Sequence, residues 1–242
     1  MEENKLREET LITSAGTDDL KRVFQDRKRT NILNTAEQKT ISYLVTRVPG
    51  YISSNMLTFT GTFGSVIVLA GFILAFYLGD RNYLLLGVLG LAINWFGDSL
   101  DGRIAYYRNI PRKWYGFSLD IIMDWVSTVL IGLGYMVYAR GKYELIAFVF
   151  VVLYGWAMII SQLRYKITDI YSIDSGLVGP TEIRVIVALM LILEVIFNHL
   201  IEYFAGGICI TLFIINIIDT RKLLKLGDIR DDIERKAKKN AA

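Results

Sequence analysis

Long uncharged runs dominate this chain, and they leave it one environment. Leu57–Leu78 has no charged residue in 22 positions, about the length of helix that crosses roughly 30 Å of hydrocarbon. Five more candidate spans follow, apolar over most of their length: Tyr83–Tyr107, Tyr115–Ala139, Leu145–Leu163, Ile183–Asn198 and Leu200–Ile218, the last two separated only by His199. Over 242 residues the chain is 53% hydrophobic, with a mean hydropathy of +0.38, and these residues are bunched rather than striped. An ordinary soluble globule is excluded. The expectation is an all-α integral membrane protein with six transmembrane helices.

The charged residues sort themselves around those runs. Residues 1–50 hold nine Lys/Arg and eight Asp/Glu and no spanning segment. Residues 51–218 form the transmembrane domain, and 219–242 a charged helical tail. Within the first segment, Thr35–Val48 sets Ile41, Leu44, Val45 and Val48 at helical spacing, which predicts an amphipathic helix lying in the membrane interface. A solvated helix packed on the rest of the protein is the plainer alternative. With six spans, 24 of the 27 Lys/Arg fall on the side that holds both ends of the chain. Excess Lys/Arg marks the cytoplasmic face, so both termini are expected there.

Several classes drop out. One cysteine and one histidine leave neither a disulfide framework nor a Cys/His zinc site. The opening MEENKLREET is charged where a secretory signal would turn apolar. No GxxxxGK[ST] or GxGxxG loop is present. The basic residues are juxtamembrane and interleaved with acids, so membrane lipid rather than nucleic acid is the expected partner.

Four aspartates stand where carboxylates are expensive. Asp98 and Asp101 lie three apart on the second span, with Gly102 and Ala105 continuing that face. Asp120 and Asp124 lie four apart on the third, with Gly116 one turn earlier. The second span ends on the side where the third begins, so all four are expected at similar depth. Each ionised carboxylate near a membrane's centre costs about 2.5–3.5 kcal/mol, and the four repel one another. Arg103 is the only obvious cation nearby. One or two divalent cations would neutralise the cluster, and all-oxygen ligation favours Mg²⁺, Mn²⁺ or Ca²⁺. Mg²⁺ commonly shares its shell with substrate phosphates, which implies a phosphate-bearing substrate. Gly102 and Gly116 remove side chains beside the acids, so a bulky ligand can approach; close helix packing is the alternative.

Asp98-Ser-Leu-Asp101-Gly102-Arg-Ile-Ala105-Tyr106, followed nine residues later by Gly116-Phe-Ser-Leu-Asp120-Ile-Ile-Met-Asp124, resembles the signature of the CDP-alcohol phosphotransferases, D-x-x-D-G-x-x-A-R then G-x-x-x-D-x-x-x-D. Every defined position agrees except the arginine, where Tyr106 stands. Asn55-Met-Leu-Thr58 resembles the family's P-N-x-x-T start of the first span, with Ser54 in place of proline. Gly179-Pro-Thr-Glu-Ile-Arg184 looks like the start of the fifth span in some bacterial members.

The resemblance implies transfer of a substituted phosphate from a CDP-linked donor to an alcohol acceptor, with release of CMP. It implies Asp98, Asp101 and Asp120 as ligands of two divalent cations, Mg²⁺ or Mn²⁺, and Asp124 as general base that also touches metal. Gly102, Ala105 and Gly116, with Asn55 and Thr58, would bind the donor, and a homodimer is implied. Arg164 and Arg184, flanking the stretch Arg164–Glu182, are candidates for the acceptor's phosphate; positive-inside flanking is their plain explanation. That stretch is long enough to act as a lid. Two readings from other classes stand beside the enzyme. One is a family member that binds CDP-lipid or metal without turnover, motivated by Tyr106. The other is an acid-lined cation transporter, against which the acids stop partway across both spans.

Overall fold

The computed structural model describes residues 34–141, 143–168 and 180–240. The charged segment 1–33 and the middle of the expected lid, 169–179, lie outside the described residues. Among the described residues seven α-helices run in chain order: α1 (Asn34–Val45), α2 (Ser54–Leu78), α3 (Leu84–Tyr107, preceded by the 3-10 turn Arg81–Tyr83), α4 (Lys113–Tyr138), α5 (Glu144–Thr168), α6 (Pro180–Ile196) and α7 (Leu200–Asn240). No strand occurs among the described residues.

Five of these are long and apolar enough to cross a membrane: α2, the stretch Arg81–Tyr107, α4, α5 and α7. That makes the chain a multi-pass membrane protein. The expected fifth span corresponds to α6, whose 17 residues reach about 26 Å at 1.5 Å per residue, short of the roughly 30 Å core. The charged tail is helical and continuous with the last apolar run. α7 runs unbroken through Asp219 for 41 residues, because a helix that leaves lipid for water keeps its own hydrogen bonds.

A seam of glycines fixes how α2 meets α3. A Cβ on Gly97 would lie 2.3 Å from the Gly61 nitrogen, and one on Gly64 would lie 2.5 Å from the Gly90 carbonyl oxygen. Nothing larger than hydrogen fits, so the two backbones touch, as small residues allow in membranes. The contact sets the register. Thr58, three residues before Gly61, comes to face Asp101, four residues after Gly97. Ser53 caps the start of α2 by accepting from the Met56 N–H at 3.2 Å.

At its acid-bearing end α3 stops sharply. The Ile110 N–H donates to the Ala105 carbonyl and the Asn109 N–H to that of Tyr106, with Asn109 left-handed at φ 56°; this is the Schellman closure. Arg108 then ties the α1–α2 connection to that end, donating to the carbonyls of Ile52 (2.5 Å), Pro49 (2.8 Å) and Val48 (3.3 Å). Beneath it the apolar face of α1 is covered by protein: Ile41 and Val45 are buried with Leu57, Leu100 and Ile104, and Leu44 and Val48 pack alongside. The helix expected at Thr35–Val48 exists, with its apolar residues on α2 and α3.

At the opposite end Val68, Phe72, Leu84, Leu91, Tyr135, Leu191 and Ile201 pack into one core. There Glu194, buried, accepts from the Tyr138 hydroxyl (2.9 Å) and from the Ile201 (2.9 Å) and His199 (3.3 Å) backbone N–H groups. Its carboxylate thereby satisfies the first turn of α7. His199 is a turn residue with φ 67°.

Candidate metal and active site

The acid-bearing ends of α3 and α4 meet as the aspartate spacing requires. One carboxylate oxygen from each of Asp98, Asp120 and Asp124 lies within 4.8 Å of the others. Three hard oxygens from two helices, with no sulfur or imidazole among them, are the donor set of an oxygen-binding divalent cation. The residues therefore fit the group that the sequence implied.

Asp101 stands beside this trio. Its Oδ2 accepts from the Thr58 hydroxyl at 2.6 Å in a buried contact, and its Oδ1 accepts from the Gly102 backbone N–H. It remains within electrostatic reach of Asp120 and Asp98. Thr58 thus meets an acid of the cluster, held there by the glycine seam. Asn55, one turn earlier, bridges to the start of α4: its Nδ2 donates to the Tyr115 hydroxyl at 3.1 Å, and its Oδ1 accepts from the Arg112 guanidinium. Arg112 also stacks on the Tyr115 ring, 4.2 Å from its centroid. Sequence reasoning counted Arg112 only as a flanking cation, since nothing along the chain signals a contact with a residue 57 positions earlier.

The glycines divide into two kinds. Those of the seam face backbone, whereas a Cβ added to Gly102 or Gly116 would meet nothing within 4 Å. Both are open beside the acids, and Ala105 is half-buried on the same face as Gly102. Close helix packing, the alternative weighed for these two glycines, belongs instead to Gly61, Gly64, Gly90 and Gly97.

Two cations were expected near the acceptor. Arg184, four residues into α6, reaches into the cluster itself, with Nη2 2.7 Å from Asp98 Oδ2 and 3.8 Å from Asp124 Oδ1. Arg103 was the cation that the sequence put nearest the acids; the structure adds Arg184 from a different helix. Arg164, at the end of α5, pairs with Asp219 of α7 at 3.5 Å. Arg108 is engaged by the α1–α2 connection, as described, and does not replace the arginine missing at Tyr106.

A family model for CDP-alcohol phosphatidyltransferases matches residues 51–217 of the chain, a stretch that runs from the start of the helical bundle to the membrane portion of α7. No curated protein gives a match.

Proposed function

The chain belongs to the CDP-alcohol phosphatidyltransferase family, enzymes that transfer phosphatidyl groups in lipid synthesis, and from that premise we propose the following reaction. A phosphatidyl group passes from CDP-diacylglycerol to an alcohol, and CMP leaves. The observation that carries this reading is the convergence of Asp98, Asp120 and Asp124 beside two glycines that leave open space.

Asp98, Asp120 and Asp124, with Asp101 beside them, would hold Mg²⁺ or Mn²⁺, two ions in the family pattern. Divalent cations held there would neutralise the charge that builds on the diphosphate as CMP departs. Gly102, Ala105 and Gly116 leave room for the cytidine diphosphate, and Asn55 and Arg112 present an amide and a cation at its edge. Thr58 holds the Asp101 carboxylate in one orientation. Asp124 serves as general base: its side chain is 34% exposed against 23% for Asp98, which suits the one that must meet an incoming hydroxyl. The acceptor oxygen attacks phosphorus, its proton passes to Asp124, and the bond to the CMP oxygen breaks. Arg184 lies where it would meet an acceptor phosphate, while Arg164 would first have to leave Asp219.

The same reading takes α6 as a short fifth span of six, puts both termini and the site at the cytoplasmic face, and pairs the chain as a homodimer. The charge distribution supports the sidedness, and α1 then lies at the cytoplasmic membrane surface. Tyr106 supports a second reading, a family member that binds CDP-lipid without turnover.

One assay tests both. Purified protein is given CDP-diacylglycerol, Mg²⁺ or Mn²⁺ and a panel of alcohols, and CMP release is followed. Release with one acceptor establishes the enzyme and identifies its substrate. CDP-lipid binding with no release across the panel favours the second reading.

A further inference from the structure

A cation in contact with the acids comes from a helix that carries none of them. Arg184 sits 2.7 Å from Asp98 and 3.8 Å from Asp124, two of the three carboxylates that converge. Its side chain is only 15% exposed, and a guanidinium in such a place keeps its charge. It sits in the first turn and a half of α6, and α6 packs along α3, so the guanidinium reaches the acids from a third helix.

Accepting the metal reading above, we infer that Arg184 is the built-in counter-ion of the carboxylate cluster and competes with the divalent cation for Asp98 and Asp124. The reasoning is electrostatic. Three carboxylates within 4.8 Å of one another repel strongly where little water screens them, and one guanidinium between two of them relieves that repulsion. A divalent cation relieves it further but also repels the guanidinium. Metal and Arg184 therefore oppose each other, and linkage makes the opposition reciprocal. Loading displaces Arg184 from Asp98 and leaves its donors turned toward whatever anion enters next. The device keeps the metal-free protein folded and makes the metal exchangeable.

The test measures binding and stability rather than turnover. Full-length protein in detergent is titrated with Mn²⁺ while free Mn²⁺ is followed by electron paramagnetic resonance. Thermal unfolding is recorded in EDTA and in Mn²⁺. Arg184→Gln should bind Mn²⁺ about tenfold more tightly, unfold at a lower temperature in EDTA and gain more from Mn²⁺ than the wild type. Arg184→Lys, which retains the charge, should stay near wild-type affinity. Should Arg184→Gln survive purification only in Mn²⁺, the same conclusion follows; failure to recover it even with Mn²⁺ overturns the inference. Unchanged or weaker Mn²⁺ binding by Arg184→Gln also overturns it, because Arg184 would then be holding the acids in place for the metal. A wild type that binds no Mn²⁺ is a different result, and it removes the metal reading itself.

Discussion

At the scale of single residues, the site depends on which oxygen meets which proton. Asp124→Asn should lower kcat by about 10²-fold, the lower range for a lost general base, and change donor affinity little; steady-state kinetics beside a CDP-diacylglycerol binding curve separate the two. Thr58→Val should be more subtle. It removes the buried hydroxyl on Asp101, a hydrogen bond to a charged group worth about 1.5–3 kcal/mol, so kcat/KM should fall about tenfold or more while Thr58→Ser stays close to wild type. The positions of the four aspartates were legible in the sequence, because helical geometry fixes what residues three and four apart share. The meeting of Arg184 with Asp98 was not, because it depends on how α6 is rotated against α3. Nothing in the local pattern of α6 encodes that rotation.

Among the elements, the α2–α3 seam decides the register of the site. A glycine inside a transmembrane helix reads alike in sequence whether backbone or empty space lies opposite, so only the neighbouring aspartates marked Gly102 and Gly116 as open, and nothing marked the seam glycines as a contact. The structure separates them, and substitution should as well. Gly97→Ala places a methyl 2.3 Å from the Gly61 nitrogen and should cost about 1–3 kcal/mol or more as the helices are forced apart. Gly102→Ala should leave stability within about 0.5 kcal/mol of wild type, and Gly102→Leu should fold yet lose CDP-diacylglycerol binding. Thermal unfolding in detergent, paired with a binding assay, reports both halves of the contrast. The helix cores were legible from their uncharged runs. Their ends were less so: α5 continues to Thr168 and α7 to Asn240, past the last apolar residue, because an amphipathic or charged stretch extends a helix without any change of backbone.

For the molecule as a whole, the proposed sidedness is open to direct measurement. In a Cys209→Ser background, a cysteine replacing Lys225 should be labelled by an impermeant maleimide only when the inner face is opened. One replacing Arg140 should be labelled from the outside; the reverse pattern would invert the topology. The match over residues 51–217 and the five long apolar helices bear out the family and the membrane class that sequence reasoning reached, while the 17 residues of α6 leave the sixth span to that measurement. The glycine seam has an electrical meaning too. A living membrane holds a voltage, and carboxylates open to one side are a natural start for a leak. Directly beside Asp98 the two backbones touch at Gly61 and Gly97, and one turn further on the Asn94 amide donates to the Gly61 carbonyl (3.0 Å) and to Ser65 (3.0 Å) and Ser127 (3.5 Å), tying α2, α3 and α4 together. The space in which ions and a diphosphate would gather therefore meets, on that side, touching backbones and an amide whose protons are already given away, the kind of closure that a charge-bearing site inside a bilayer needs against leakage.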